Sequence, residues 1–334
     1  MPAKNLPELI TLKRLIDEGG AHLQVSTPCS VAMDGRDFPV YTVAMGNPDP
    51  QVPALGFFGG IHGLERIGTQ IVLAFLESLL ARLRWDHTLH QQLASLRLVF
   101  MPLVNPGGMW QATRCNPQGV DLMRNAPVSA TDSVPFLLGG QRYSRHLPWY
   151  RGAAGAPMEA ESRAVCDFVT GELLSRQFSL ALDCHSGFGL RDRIWFPHAH
   201  TSTPIPHLPD IAALEQLFSA SYPNHNYVFE PQSRVYRTHG DLWDYLYLNA
   251  GQRVFLPLTL EMGSWLWVKK NPRQLFDRIA MFNPTARHRQ QRVLRRHLTW
   301  FDFLMRATIS HQSWLPSGMA RKVQHKRALT QWYG

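Results

Sequence analysis

Apolar residues recur along this chain in two rhythms. Between 66 and 84 they stand at 67, 71, 72, 75, 76, 79 and 80, the spacing of a helix with one buried face. Residues 6–16 repeat that rhythm in a shorter amphipathic helix. Helices are also expected over 157–174, where Glu159 and Glu161 occupy the first turn, over 211–222, over 240–248, and in two or more pieces over 272–305. Unbroken apolar runs lie at 54–60, 96–104, 178–184 and 253–260, the pattern of strands covered on both faces. Residues 38–43 follow the turn signal Asp34-Gly35-Arg36 and form an early strand. Residues 126–158, rich in Gly, Pro and Ser, read as a long surface excursion, and 201–209 as a proline-rich loop. Strand, helix and strand over 54–104 predict a βαβ unit, hence an α/β fold with a largely parallel sheet.

Composition narrows this picture. A chain of 334 residues with 45% hydrophobic content can bury a large core, and no run approaches a membrane span. The first eight residues lack the apolar core of a signal peptide. Cys29, Cys115, Cys166 and Cys184 show no C-x-x-C spacing, so the expected setting is a thiol-reducing cytoplasm. The net charge of +9 is uneven. Residues 269–334 hold 14 Lys/Arg against Asp277 and Asp302, or +12, which leaves −3 for the rest. The expectation is one domain over 1–317 and a loose basic tail over 318–334. A solvated basic face accounts for that charge, with nucleic acid or another polyanion as the competing partner.

Candidate chemistry lies where the apolar runs stop. The run 54–60 breaks at Gly59-Gly60 and presents His62 and Glu65 before a helix. His185 follows the run 178–184, and Glu261 follows 253–260. In open α/β sheets the ligand crevice lies beyond the carboxyl ends of the strands, so these residues can meet there. His62, Glu65 and His185 supply the donors of a catalytic zinc site with one position open for water. Glu261, a carboxylate left off the metal, suits a general base. The same spacing at His207 and Asp210, in the proline-rich loop, reads as an accidental match. His198, His200 and His225 have no partner spacing, Cys115 and Cys184 read as core thiols, and Ser186 lacks the G-x-S-x-G context of a serine hydrolase.

His62-Gly-Leu-Glu65, Asn105-Pro-Gly-Gly, Arg114, Gly119-Val-Asp-Leu-Met-Arg124-Asn125, His185-Ser-Gly, Tyr236-x-x-x-Gly240 and Leu260-Glu261-Met262 stand in one order. That order, over about 54–265, resembles the zinc carboxypeptidases related to carboxypeptidase A. The resemblance implies a three-layer α/β/α sandwich with a mixed, mostly parallel twisted sheet. It also implies a metallopeptidase that binds one zinc ion and cuts a peptide or related amide beside a substrate carboxylate. By position, His62, Glu65 and His185 match the zinc ligands and Glu261 the general base. Asp121 matches the acid that orients the first histidine, Arg114 the arginine that stabilises the oxyanion, Arg124 the one that pairs with the terminal carboxylate, and Tyr236 the tyrosine that closes over substrate. The resemblance departs at Met123, where the family usually has Asn. Trp243, seven residues after the tyrosine and flanked by Asp241 and Asp244, suggests an apolar or size-limited pocket.

Met123 keeps a second hydrolase in view, an N-acyl amino acid amidohydrolase of the aspartoacylase and succinylglutamate desuccinylase type, acting on an acylated amino acid. Tyr236-x-x-x-Gly240 and the long span from His185 to Glu261 favour the peptidase. The competing class is a catalytically silent zinc-binding protein with a polyanion-binding tail, and an intact Glu261 argues against it.

Overall fold

A computed structural model of the chain describes residues 6–334; residues 1–5, part of the N-terminal stretch considered above, lie outside the described residues. Its strands are β1 (Gln24–Met33), β2 (Arg36–Gly46), β3 (Ala54–Gly59), β4 (Arg97–Met101), β5 (Phe178–Ser186), β6 (Arg193–Phe196), β7 (Val228–Pro231) and β8 (Val254–Met262), all in one sheet ordered β1-β2-β4-β3-β5-β8-β6-β7. The apolar runs became its middle: β4, β3, β5 and β8 are parallel, and every residue of β3, β4 and β5 is buried. Around that centre β1 and β2 run antiparallel, β2 meets β4 antiparallel and β6 meets β8 antiparallel. The sheet is therefore mixed, with a parallel core. β1 and β2 form a hairpin through Asp34 and Gly35, both at positive φ (53° and 67°), the turn whose twist matches the strands it joins.

Three strands had no signal in the hydrophobic pattern. β1 is an edge strand, mostly exposed, interrupted by Pro28 and a bulge between Ser26 and Cys29, so it never needed an apolar face. β6 and β7 have four residues each, too few to show a period.

The helices are α1 (Pro7–Gly19), α2 (Arg66–Arg82), α3 (His87–Ala94), α4 (Pro106–Gln111), α5 (Ala160–Glu172), α6 (Leu208–Ser221), α7 (Leu242–Leu248), α8 (Trp265–Lys270), α9 (Arg278–Phe282), α10 (Arg287–Ile309), α11 (His311–Trp314) and α12 (Gly318–Trp332). They cover both faces of the sheet, because successive strand residues point in opposite directions. Phe57 faces one side, where it stacks on Phe301 of α10 at 4.6 Å and meets Phe75 of α2 at 5.0 Å. Phe58 faces the other, meeting Trp243 of α7 at 5.0 Å and Phe168 of α5 at 6.5 Å. Each ring is fully buried, a stabilisation of roughly 1.5–3 kcal/mol from removal of apolar surface alone. The result is a three-layer α/β/α sandwich. No helix among the described residues is long and apolar enough to cross a membrane.

The expected loose tail is instead α12. Ala328 and Trp332, four apart and so on one helical face, are buried. The Trp332 indole donates to Phe229 O at 2.8 Å and its ring meets Phe196 at 4.8 Å. Arg321 pairs with the buried Asp210 of α6 at 2.6 Å. Two anchors hold a segment whose basic composition masked them. Asp210, half of the accidental metal pattern, is thereby part of an ion pair.

Candidate active site

His62 and Glu65 leave β3 on a loop that only glycine can shape. Gly60 has φ +66°, and a Cβ at Gly63 would lie 2.1 Å from the backbone of Gly108. α4 can press so close because Asn105 caps it, accepting Gly108 N at 2.7 Å, while its amide donates to Ile61 O at 3.2 Å. Downstream, Asn283 clamps the start of α2: it accepts Ile67 N at 2.8 Å and donates to Leu64 O at 2.7 Å. Asn283 lies over two hundred positions away and was not singled out; its one sequence signal is the Asn-Pro pair that ends α9. His185 and Glu261 need no such support. They are paired residues on the parallel neighbours β5 and β8, and so project side by side from one face.

The three expected metal donors converge. His62 Nδ1 lies 2.8 Å from Glu65 Oε1, His185 Nδ1 lies 2.9 Å from Glu65 Oε2, and the two Nδ1 atoms are 3.1 Å apart. All the donor atoms fall within 4.8 Å of one another; among the described residues no other three His, Cys, Asp or Glu form such a group. The far nitrogens are held by carboxylates. His62 Nε2 is 3.2 Å from Asp121 Oδ1, and His185 Nε2 is 2.6 Å from Asp183 Oδ2. With the hydrogen on Nε2, each Nδ1 keeps its lone pair toward the centre, the donor state a metal ion requires. Two imidazole nitrogens and one carboxylate fit zinc.

The charges agree. Burial alone would raise the Glu65 carboxyl, but His62 and His185 outweigh it and hold it well below the usual carboxylate range. Burial opposes a charge on His185, yet Asp183 and Glu65 push its imidazole well above the ordinary value. A metal ion supplies positive charge without that proton. Asp121 is likewise buried but held far down by Arg114 and Arg124.

His62, Glu65, His185, Glu261, Arg114, Arg124 and Tyr236 line one cavity of about 360 Å³. Arg114 Nε donates to Asp121 Oδ2 at 2.8 Å and its NH1 to Glu65 Oε1 at 3.3 Å. Arg124 is fixed by Asp121 Oδ2 at 3.2 Å and by Leu138 O at 3.2 Å. Burial, followed by repulsion from Glu65, pushes the Glu261 carboxyl up to about 8, and its Oε1 accepts Phe188 N at 3.0 Å. Tyr236 stands among Phe188 and Trp195 at 6.2 and 5.9 Å, with its phenol raised by burial. Met123 also lines the cavity, where the resemblance leads one to expect an amide.

Trp243 does not set the pocket. It is buried, is not among the residues that line the cavity, and donates from Nε1 to Asp183 Oδ2 at 2.9 Å, so it braces the carboxylate that holds His185. Asp241, at the start of the same helix, lines the cavity instead. The first turn of α7 rotates successive side chains by about 100°, and a count of seven residues cannot say which one faces the site. The Cys115 thiol is pushed up to about 12 and the Cys184 thiol well above its ordinary value, both by burial, and all four cysteines are unpaired. Ser186 donates from Oγ to Phe282 O, closing the C-terminal segment over the site. His198 packs on His200, which pairs with Asp244, and His207 bonds Tyr247.

A family profile described as zinc carboxypeptidase matches residues 30–274. The chain is 25% identical over 206 residues to the carboxypeptidase N catalytic chain of Rattus norvegicus, covering 53% of this chain and 42% of that one. It is 30% identical over 174 residues to carboxypeptidase E of Caenorhabditis elegans, covering 47% and 35%. It thus spans less than half the length of either relative. Among solved structures, bovine thrombin-activatable fibrinolysis inhibitor in complex with tick carboxypeptidase inhibitor superposes with a TM-score of 0.67 at 16% identity, covering 92% of this chain and 98% of that one. Carboxypeptidase A from Helicoverpa armigera gives 0.63 at 16%, covering 90% and 71%. These two likenesses are of fold, and they agree with the sandwich described above.

Proposed function

The chain belongs to the zinc carboxypeptidase family, and we propose that it is a one-zinc metallocarboxypeptidase that hydrolyses a peptide or related amide bond beside a free carboxylate. The observation that carries this reading is the convergence of His62, Glu65 and His185, with Nε2 of each histidine held by a carboxylate, beside Glu261 on the adjoining strand. A zinc ion held by those three residues would act as a Lewis acid, polarising the scissile carbonyl and making a water acidic near neutral pH.

The chain's own groups do the rest. Glu261 has Oε1 tied to Phe188 N, which leaves Oε2 to take a proton from the attacking water and pass it to the leaving nitrogen. Added positive charge nearby favours the ionised form that this step needs. Arg114, fixed by Asp121 and Glu65, offers a cation to the oxygen on which charge develops. Arg124, whose planar fork suits a carboxylate, holds the substrate's terminal group, and Tyr236 packs over it. Asp121 braces His62 and both arginines at once.

Met123 favours a second reading, the N-acyl amino acid amidohydrolase, because it removes an amide contact to the terminal carboxylate while keeping the hydrolytic set. The test measures zinc content and turnover on blocked peptides with free or amidated C-termini and on N-acetyl and N-succinyl amino acids. The expected result is one zinc per chain, cleavage that requires a free carboxylate, and a loss of about 10²- to 10⁴-fold in kcat for Glu261→Gln with zinc retained. Turnover confined to the acylated amino acids selects the second reading. A zinc-loaded wild type that cleaves nothing overturns both.

A further inference from the structure

The segment beside the mouth of the cavity carries a surface for which the reaction described above has no use. It runs from Trp265 through α8 and a 3-10 turn at Pro272–Phe276 to the start of α9. Three large apolar side chains along it are left in water. Trp265 is 48% exposed, Leu275 46% and Phe276 93%, more than any other large apolar residue described. Lys269, Lys270, Arg273 and Arg278 stand among them, all exposed and none in an ion pair or side-chain hydrogen bond among the described residues. Asp277, the one acid over 265–278, is spent capping α9, where it accepts Ile279 N at 2.9 Å and Ala280 N at 3.0 Å. Four cations less one acid leave the segment at +3.

The fold holds these groups outward. Gln274 is 2% exposed and donates from Nε2 to Ala280 O at 2.5 Å and to Asn283 O at 3.1 Å. Asp277 pins the other flank, so Leu275 and Phe276 lie between two anchors and cannot fold away. Leaving both in water forgoes the stabilisation of apolar burial, and exposed apolar groups bordered by charge mark an interaction surface. Shape and charge select the partner. At 93% exposure Phe276 projects as a tip and lines no groove, so a folded protein would need a matching cleft to cover it. A bilayer needs none. A projecting apolar tip flanked by unpaired cations suits an anionic bilayer, with the rings at the acyl boundary and the cations at the headgroups. Trp265 is of the residue type enriched at that boundary.

We propose that Trp265, Leu275 and Phe276, with the four cations interleaved among them, dock the protein on an anionic lipid surface. The contact is peripheral, since no helix among the described residues is long and apolar enough to cross a membrane. Trp265 also lines the cavity, so the docked mouth opens beside the lipid. The docking does not depend on what the cavity cleaves. The test measures co-sedimentation of the full chain with vesicles of phosphatidylcholine alone and of phosphatidylcholine mixed with phosphatidylglycerol. It compares wild type with Phe276→Ser and with the double variant Lys269→Gln/Lys270→Gln, after matched unfolding midpoints have shown that all three fold alike.

Wild type is expected to bind the anionic vesicles about 100-fold more tightly than the neutral ones at low salt, from three net charges worth about fivefold each. The double variant should lose about 25-fold on anionic vesicles, and Phe276→Ser about tenfold. Equal binding to both kinds of vesicle, no binding to either, or binding that neither variant weakens overturns the proposal. A loss confined to the double variant, with soluble polyglutamate competing, assigns the surface to an acidic polypeptide and overturns it too. A loss confined to Phe276→Ser removes charge from the account, with the same consequence. None of these outcomes touches the carboxypeptidase reading, which stands or falls on turnover.

Discussion

The two histidines of the candidate metal site are braced in opposite ways. His62 and Glu65 sit on a loop, shaped by Gly60 and Gly63 and tied down by Asn105 and Asn283. The carboxylate behind His62, Asp121, is shared with Arg114 and Arg124, both of which line the cavity. His185 and Glu261 ride on adjacent strands of the sheet. The carboxylate behind His185, Asp183, is fully buried and, among the described residues, is bonded by no arginine or lysine and meets only His185 and Trp243, with Oδ1 lacking any partner. One half ties the candidate ligand set to the two arginines that line the cavity; the other ties it to a carboxylate buried in the core. The same kind of histidine–carboxylate bond is therefore linked to the cavity's charges on one side and to the rigid sheet on the other.

Substitutions of the two carboxylates test that contrast most strongly. Asp121→Asn and Asp183→Asn should each weaken zinc binding by about 10- to 100-fold, read by competition with a chromogenic chelator. Only Asp121→Asn should also raise KM, because it releases both arginines. Equal KM changes in the two variants would erase the distinction. Asn283→Ala comes next. It orphans Ile67 N and Leu64 O in a buried setting and should cost about 1–3 kcal/mol in denaturant unfolding, an effect that falls on the loop-borne half. An unchanged midpoint would mean that the glycine loop needs no tether. Trp243→Phe is the mildest: it keeps the ring against Phe58 and removes only the indole donor to Asp183. Zinc affinity should fall several-fold, corresponding to about 1 kcal/mol, with KM unmoved. A shift in KM would place Trp243 in the pocket after all.

Much of this was legible in the chain because it depends on local pattern. Continuous apolar runs at 54–60, 96–104, 178–184 and 253–260 marked strands buried on both faces, and the residues that follow them fell where a parallel sheet opens. His62, Glu65, His185, Glu261, Arg114, Arg124 and Tyr236 could be gathered by motif order alone, and one cavity holds them all. β1, β6 and β7 were illegible because edge and very short strands need no apolar face. α12 was illegible because two anchors, Ala328 and Trp332, were outnumbered by charge.

The remainder belonged to the tertiary structure. Which of Asp241, Trp243 and Asp244 faces the cavity depends on how the first turn of α7 is rotated against β5 and β8, and no spacing along the chain encodes that rotation. The bond from Asn283 to the start of α2 joins positions more than two hundred residues apart. The sequence by itself determined which side chains gather around the cavity, because hydrophobic period and motif order are local properties. Packing decided how each is braced and which carboxylate of α7 is left facing the cavity, because those depend on elements that meet only once the chain has folded.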